Sequence, residues 1–352
     1  MNIGIITISQ GCNYGNRLQM YAVQRVLEKL GHESYVIKNN TNVSGSFYEI
    51  KKRIKVAINY HGAKDGYLRE KSFDKFDNKH ITFYKEALDE GYQSSKIGEK
   101  LDAFLCGSDQ VWNPYSPFLN GICFADFENV KKRFSYAASF GIEEIPSDKQ
   151  EDFRQWLSKL DAVSVREESG AEIVRDLIGK EAEVLIDPTM MLDAEEWAQI
   201  EERPLIDMPS KFIFTYFLGE QDIEVKKTIT LLSERYDMQI INILPEWDER
   251  NYKLNPSHFV YLLHHADVVI TDSFHATVFA IIFQKPFRIF DRVSKKFNMS
   301  TRLDTLLSYF GLAEHRNNFD TRVNLKQNYI IDEILEQERI KAIQFLNQNI
   351  GE

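Results

Sequence analysis

The stretch that decides the fold is Asp267-Val-Val-Ile-Thr-Asp-Ser-Phe-His-Ala-Thr-Val-Phe-Ala-Ile-Ile-Phe-Gln-Lys-Pro-Phe287. The apolar run Val268–Ile270 predicts a buried strand, the polar residues Thr271–Ser273 predict a turn, and an apolar helical pattern follows directly. In an open α/β sheet, ligands bind outside the carboxyl ends of the strands, and a helix that begins there presents unpaired N–H groups to anions. His275 stands at such a position, so a functional role and a core histidine satisfied by hydrogen bonds are equally good interpretations.

Strands and helices alternate along the rest of the chain. The buried run Ile3–Ile8, a glycine-containing loop at 11–17, helical spacing up to Leu30 and a strand at Ser34–Ile37 predict a β-loop-α-β opening. The remaining predicted strands are 101–106, 133–138, 162–165, 183–186, 211–218, 238–243 and 287–290, and the remaining predicted helices are 149–159, 223–235, 256–265 and 336–348. This order predicts an α/β fold of two Rossmann-like halves, divided near residues 188–210.

Residues 1–195 are assigned to an N-terminal Rossmann-like domain, and residues 196–352 to a C-terminal one that ends in a helix. A segment from about 45 to 100 differs from both, because basic side chains such as Lys51-Lys52-Arg53 are interleaved there with aromatic ones such as Phe73. This pattern predicts amphipathic helices with a basic face. A solvated helical arm is the favoured interpretation, and contact with an anionic glycan or a membrane surface that carries a lipid-linked glycan is the alternative.

Charge and composition exclude several classes of function. The 352 residues are 43% hydrophobic and 27% charged, as in a globular protein, and carry a formal net charge of -10. That charge argues against nonspecific nucleic-acid binding, which needs a basic surface. The cysteines, Cys12, Cys106 and Cys123, form no close pair, so neither a disulfide framework nor a thiolate zinc site is predicted. Without a signal-peptide pattern or an apolar run of transmembrane length, a cytoplasmic location is expected, with any membrane partner reached at the inner face.

Short motifs stand at the ends of the predicted strands. They are Gly11–Gln19, Leu105–Asn113, Ser135–Gly141, Ser164–Ser169, Leu185–Thr189 and Val269–Ala276. In these motifs, which span about residues 3 to 312, the chain resembles the polysaccharide pyruvyl transferase family. The resemblance implies an enzyme that transfers the pyruvyl group of phosphoenolpyruvate onto a sugar as a ketal, in the synthesis of an exopolysaccharide, capsule or cell-wall polymer. It also implies a GT-B-like fold of two Rossmann-like domains facing a cleft, with the acceptor on the N-terminal side and the donor on the C-terminal side.

Ketal formation sets the chemical requirements of such a site. C3 of phosphoenolpyruvate gains a proton, C2 becomes oxocarbenium-like, two sugar hydroxyls add to C2, and phosphate leaves. The site therefore needs a general acid, a general base and cations for the carboxylate and phosphate groups. No redox step occurs, so phosphoenolpyruvate is implied as a co-substrate, and neither a cofactor nor a metal is expected. The adjacent residues His264 and His265 are expected to point to different faces of a helix and so not to share a metal.

The resemblance implies donor-side roles for a small set of residues. His275 matches the histidine of the family's C-terminal motif, which implies a catalytic acid–base or phosphate-binding role. Better-known members carry an arginine two residues before it, where this chain has Ser273, so a cation must come from elsewhere or the donor differs. Arg166 matches a family arginine expected to bind phosphoenolpyruvate through a bidentate fork, the alternative being a salt bridge to a neighbouring glutamate. Lys296 and Arg302 follow the last predicted strand, where the family places a further cation and a solvated loop is an equally good interpretation.

The acceptor side is predicted from residues at the N-terminus of the first helix and at a strand end in the N-terminal half. They are Asn16, Arg17, Ser108, Gln110 and Trp112, the last of which would stack on a sugar face. Asp109, next to Ser108, is the candidate catalytic base for an acceptor hydroxyl. The structural alternatives are helix capping for Asn16, turn formation for Asp109 and core packing for Trp112.

Two other functions remain open from the sequence. A nucleotide-sugar glycosyltransferase of the same architecture needs a nucleotide pocket in the C-terminal half, for which Glu246 and Asp248 are ambiguous candidates. A non-catalytic member of a glycan-assembly system is the third interpretation, and the presence of both Arg166 and His275 argues against it. The acceptor sugar, its hydroxyl pair, the ketal configuration and the oligomeric state do not follow from the sequence.

Overall fold

The computed structural model describes residues 1–41, 63–89, 91–243, 253–292, 301–323 and 330–351. The chain divides into two compact units. The first unit comprises Met1–Lys51, Asp77–Met191 and Glu336–Glu352, and the second comprises Lys52–Phe76 and Leu192–Leu335. Lys296, Glu246, Asp248 and the part of the predicted basic arm before residue 63 lie outside the described residues, so the predictions made for them stay predictions.

The first half of the chain builds a parallel sheet of buried strands. Its elements are β1 (Asn2–Ile6), α1 (Tyr14–Lys29), β2 (Glu33–Val36), α2 (Ala63–His80), α3 (Ile97–Lys100), β3 (Ala103–Cys106), β4 (Arg133–Ser135), α4 (Gln150–Ser158), β5 (Ser164–Val165), α5 (Glu168–Ile178) and β6 (Glu183–Val184). The strand order is β2-β1-β3-β4, every pair is parallel, and β5 pairs with β6 in the same sense. All four residues of β3 are buried, as expected for a parallel strand covered on both faces.

The second half repeats the scheme. Its elements are α6 (Ala194–Ala198), β7 (Phe212–Tyr216), α7 (Ile223–Tyr236), β8 (Gln239–Asn242), α8 (Pro256–His265), β9 (Val268–Thr271), α9 (Phe274–Ile282), β10 (Phe287–Ile289), α10 (Thr301–Phe310) and α11 (Ile330–Ile350). The strands form a parallel sheet in the order β10-β9-β7-β8. Four of these helices start on a side chain that accepts a hydrogen bond from the first turn, namely Asp193 for α6, Asp222 for α7, Asn255 for α8 and Ser273 for α9.

Both four-stranded sheets have the same topology. Counted from its own first strand, each has the order 2-1-3-4. The chain therefore leaves the first strand on one side and returns on the other, which creates a switch point between β1 and β3 and another between β7 and β9. Ligands bind at the carboxyl ends of strands beside such a point. The residues that follow Cys106 and Thr271 consequently stand at the two edges where binding is expected.

Some boundaries differ from the predicted ones. The strand predicted at 133–138 ends at Ser135, and Ala137 has a φ of 46°, which is incompatible with a strand. The C-terminal helix was predicted to belong to the C-terminal domain, whereas Glu336–Glu352 is grouped with the first unit. The hydrogen bonds of this helix explain the grouping, because Arg339 Nε donates to the Met190 carbonyl at 2.8 Å and Lys341 Nζ to the Val184 carbonyl at 2.8 Å.

The longest helix in the described part of the predicted basic arm is α2. Its apolar side is buried at Phe73 and Phe76, as amphipathic character requires. Its charge is mixed, however, since Lys71 pairs with Asp74 at 3.0 Å and Asp77 accepts from an arginine of α1. This corrects the expectation of a basic face for the described helix.

The predicted fold class is confirmed in its main feature, because both units are α/β with parallel sheets. That the two domains face a cleft stays a prediction. None of the helices in the described parts of the chain is both long and apolar enough to cross a bilayer.

Candidate functional site

A buried ion-pair cluster joins the strand ends of the first unit. Arg166, which follows β5, donates from Nη2 to Asp109 Oδ1 at 3.0 Å and from Nη1 to Asp187 Oδ2. Asp109 follows β3, and Asp187 follows β6. The exposed fraction is 3% for Arg166, 7% for Asp109 and 1% for Asp187. The three charges are therefore compensated by one another rather than by water.

Hydrogen bonds extend this cluster to the switch point between β1 and β3. Ser108 Oγ lies 3.3 Å from Asp187 Oδ2, and the Ser108 N–H donates to Gln19 Oε1 at 3.2 Å. The Ser108 carbonyl accepts from Thr7 Oγ1 at 3.0 Å. The turn requires Gly107, whose φ is 116° and where a Cβ would lie 2.5 Å from a backbone carbonyl oxygen. Ser108 is fully buried in this network, which corrects the expectation that it contacts an acceptor directly.

The partners of Arg166 are distant carboxylates rather than the neighbouring Glu167. Burial lowers the pKa of the Arg166 guanidinium, but the carboxylates of Asp187, Asp109 and Glu167 together raise it by more, so the net shift is upward. Glu167 Oε1 itself accepts three hydrogen bonds from residues 139–141. The contact with phosphoenolpyruvate predicted for Arg166, and the catalytic role predicted for Asp109, stay predictions. In the structure these two residues hold strand ends together.

The other polar candidates of the acceptor side differ in the contacts that they make within the protein. Asn16 and Arg17 lie in the first turn of α1, which Asn13 caps by accepting from the Asn16 N–H at 3.2 Å. Arg17 Nε is 3.0 Å from Asp77 Oδ1, so its charge is balanced within the first unit. Gln110 is half-buried, and its Nε2 has no hydrogen-bond partner among the described residues. That nitrogen is buried, however, and faces Gly141, where a Cβ would lie 2.0 Å from it, so the acceptor contact predicted for Gln110 stays a prediction.

Trp112 is a core residue. It has no exposed surface, and its ring stacks on Phe124 with centroids 5.0 Å apart and an interplanar angle of 4°. Its Nε1 donates to the Cys123 carbonyl at 2.9 Å, which satisfies the indole N–H inside the protein. This corrects the expectation that Trp112 stacks on a sugar.

In the second unit, Asp272 joins the strand ends across the switch point between β7 and β9. It accepts from the N–H groups of Leu218 at 2.7 Å and Gly219 at 2.8 Å, the second and third residues after β7. Burial raises the pKa of Asp272, against the opposing influence of Arg292 and of these two N–H groups. The next residue, Ser273, caps α9, so the whole turn is fixed by hydrogen bonds before any ligand arrives.

Arg292 brings a cation to this turn. It follows β10, and its Nε donates to Asp272 Oδ2 at 3.1 Å while Nη2 lies 3.4 Å from the Asp272 carbonyl oxygen. Its side chain is 24% exposed, so the guanidinium is anchored without being sealed from solvent. The family motif places an arginine where this chain has Ser273, so the sequence leaves this turn without that cation. Arg292 provides a cation next to that position from the neighbouring strand.

Two further predicted residues meet at the start of α9. His275 is the second residue of the helix and is 7% exposed, and its ring lies edge-on to that of Phe274 at 5.3 Å. The guanidinium of Arg302, from α10, lies 5.7 Å from the centroid of the Phe274 ring. The structure thus gathers His275, Arg292 and Arg302 around one helix N-terminus.

Sequence reasoning assigned no role to Arg292 or Asp187. Each is the third residue after a strand, β10 and β6 respectively, and Asp109, Arg166 and Ser273 also lie within three residues of a strand end. A search for every polar side chain within three residues of a strand end would have found them. It would not have named their partners, which are set by the order of the strands in the sheet.

The family model described as polysaccharide pyruvyl transferase matches residues 13–294, which is most of the chain. No curated protein matches the chain. Among solved structures, the chain is similar to a UDP-GlcNAc 2-epimerase from Neisseria meningitidis, with 11% identity and a TM-score of 0.47 over 98% of this chain and 100% of that one. It is also similar to a putative UDP-N-acetylglucosamine 2-epimerase from Listeria monocytogenes, with 12% identity and a TM-score of 0.49 over 91% and 92% of the two chains. These likenesses carry no conclusion about activity.

Proposed function

Because the chain belongs to the polysaccharide pyruvyl transferase family, whose members are transferases, we propose that it transfers the pyruvyl group of phosphoenolpyruvate to a sugar of a polysaccharide or glycan precursor, forming a ketal. The observation that carries the proposal is the turn at the start of α9, where His275, Arg292 and Arg302 are gathered. A donor with both a carboxylate and a phosphate needs such a concentration of positive charge, particularly in a protein whose net charge is -10.

The donor is held by groups of two kinds. Arg292 offers a planar fork that matches a carboxylate or a phosphate, and Asp272 has already fixed its orientation. The N-terminus of α9, which Ser273 caps, is the positive end of the helix dipole, so it suits the second anionic group. Arg302 adds positive charge next to the ring of Phe274.

The chemistry then needs one well-placed proton donor. His275 stands beside the bound donor and protonates C3, which turns the methylene carbon into a methyl group and makes C2 electrophilic. Two C2–O bonds to the sugar form, and the C2–O bond to phosphate breaks. The two sugar hydroxyls release two protons. One replaces the proton that His275 gave to C3, and the other leaves on phosphate, so the reaction is balanced without water or redox chemistry.

Thermal unfolding in the presence of candidate donors tests the proposal. A ligand held only by the folded protein raises the unfolding midpoint by mass action. We expect a rise with phosphoenolpyruvate that neither pyruvate nor a panel of nucleotide sugars reproduces, and release of phosphate once a suitable sugar is added. A rise with a nucleotide sugar alone would replace pyruvyl transfer by glycosyl transfer.

The Arg292→Ala variant is expected to weaken phosphoenolpyruvate binding by about 10- to 100-fold, because a hydrogen bond to a charged group contributes about 1.5–3 kcal/mol. Arg292→Lys should be intermediate, since it keeps the charge but loses the fork. The matched control is Arg322→Ala, which removes an arginine of the same unit that is 77% exposed and paired with Asp320. Calorimetric titration of the three variants measures the effect, and equal affinities for Arg292→Ala and Arg322→Ala would contradict the donor site.

A further inference from the structure

Three side chains with metal-binding atoms meet at the end of α8 in the second unit. One carboxylate oxygen of Glu201 and one ring nitrogen each of His264 and His265 lie within 4.8 Å of one another. His264 Nδ1 is 2.9 Å from Glu201 Oε2, and His265 Nε2 is 3.3 Å from Glu201 Oε1. The expectation that adjacent histidines diverge is wrong here, because both lie in the last turn of α8 and present different ring nitrogens to the same carboxylate.

Aromatic neighbours fix the orientation of both imidazoles. His264 stacks on Phe283 with centroids 4.4 Å apart and an interplanar angle of 14°, and His265 stacks on Tyr261 at 4.1 Å and 30°. The histidine side chains are nevertheless 32% and 44% exposed, and that of Glu201 is 20% exposed. An ion can therefore reach ligands that packing already holds in place, so that little side-chain freedom is lost on binding.

The spacing and polarity of the cluster suit a divalent cation. Zn²⁺ binds imidazole nitrogen and carboxylate oxygen at about 2.0–2.2 Å, which places the ligand atoms of a tetrahedral site about 3.3 Å apart. His264 Nδ1 lies 2.9 Å from Glu201 Oε2 and His265 Nε2 lies 3.3 Å from Glu201 Oε1, so each nitrogen is near that separation from one of the two carboxylate oxygens. The carboxyl end of α8 adds partial negative charge, which favours a cation at the last turn.

We propose that Glu201, His264 and His265 bind a divalent transition metal ion of the Zn²⁺ class, with at least one coordination position left to solvent. The ion fastens the segment that follows α6 to the end of α8. This site is separate from the donor site, because α8 ends where β9 begins, whereas Ser273 and His275 follow the end of β9 at the opposite edge of the sheet. Its effect is therefore on the stability of the second unit rather than on the transfer chemistry.

Titration of the chelator-treated protein with Zn²⁺ by calorimetry, and with Co²⁺ by visible absorption, tests the site. We expect one ion per chain at this site and a higher thermal unfolding midpoint in its presence. The Co²⁺ spectrum should lack a thiolate charge-transfer band, because the proposed ligands are nitrogen and oxygen atoms. Binding should weaken as the solution is acidified, since protons and metal compete for the imidazoles.

Ligand substitutions distinguish this site from adventitious binding. Glu201→Gln and His265→Ala should each weaken Zn²⁺ binding at least about tenfold, because loss of even an outer partner of a metal ligand costs about 10- to 100-fold. His32→Ala and Cys12→Ser, which change first-unit residues, should bind as the unaltered protein does, and circular dichroism of the metal-free variants checks their folding. Absence of Zn²⁺ uptake by the unaltered protein, or unchanged binding by Glu201→Gln and His265→Ala, would overturn the proposal and leave three residues that only hydrogen-bond to one another.

Discussion

Replacing Arg166 by alanine is expected to lower the free energy of unfolding by about 3–5 kcal/mol, because removal of one partner leaves uncompensated charges inside the protein. The variant would leave Asp109 and Asp187 buried at 7% and 1% exposure without the guanidinium that both contact. Asp187 also accepts hydrogen bonds from Ser108 and Thr189, so the loss extends to the turn after β3 and the turn after β6. Chemical denaturation followed by circular dichroism measures the change.

A surface arginine of the same unit provides the control. Arg154 pairs with Glu151 at 2.6 Å, but its side chain is 45% exposed, so Arg154→Ala should cost less than about 1 kcal/mol. Combining Arg166→Met with Asp109→Asn should recover part of the loss, because one buried carboxylate is removed together with the cation. If Arg166→Ala lowered the free energy of unfolding no more than Arg154→Ala does, the buried cluster would not stabilise the first unit.

A loss of stability in Arg166→Ala would by itself lower the activity of that variant. A variant without activity would be explained by collapse of the strand ends as readily as by loss of a donor contact. Phosphoenolpyruvate affinity measured on a folded double variant separates the two explanations, since the double variant keeps the strand ends but lacks the guanidinium. The donor contact inferred from the family resemblance predicts that affinity is lost even when stability is partly restored.

The order of elements could be predicted because a buried parallel strand is a short apolar run in the sequence. Val268–Thr271 is buried at every position, and a turn with Ser273 and a helix with His275 in its first turn follow as expected. Partners across the sheet could not be predicted in the same way. Arg166 contacts residues 57 and 21 positions away, and which strands bring them together depends on the strand order rather than on any local pattern.

Burial of polar and aromatic side chains was the second property that could not be predicted from the sequence. Trp112 follows the turn after β3, where a ligand-stacking residue was expected, yet it packs on Phe124 in the core. Arg292 lacked a motif, but Asp272 holds it beside the donor turn. In both cases the side chain's neighbours, which come from other segments of the chain, decide its role.

His275→Asn is expected to lower kcat by about 100- to 10,000-fold, which is the usual contribution of a positioned general acid or base. Asparagine keeps a polar side chain at the second position of α9 but has no imidazole to give or take a proton. The unfolding midpoint should therefore change much less than kcat does. Phosphate release at saturating phosphoenolpyruvate and acceptor measures kcat.

A second histidine of the same unit separates catalysis from packing. His258 on α8 is half-buried, and its Nδ1 accepts from the Asn255 N–H at 3.1 Å in a capping box. His258→Asn should consequently lower the unfolding midpoint through the lost cap while leaving kcat unchanged, the reverse of His275→Asn. If His275→Asn retained kcat within about tenfold, below the contribution of a general acid, the proton would have to come from another group and His275 would be a packing residue at a binding edge. The donor site would then rest on Arg292 and the N-terminus of α9.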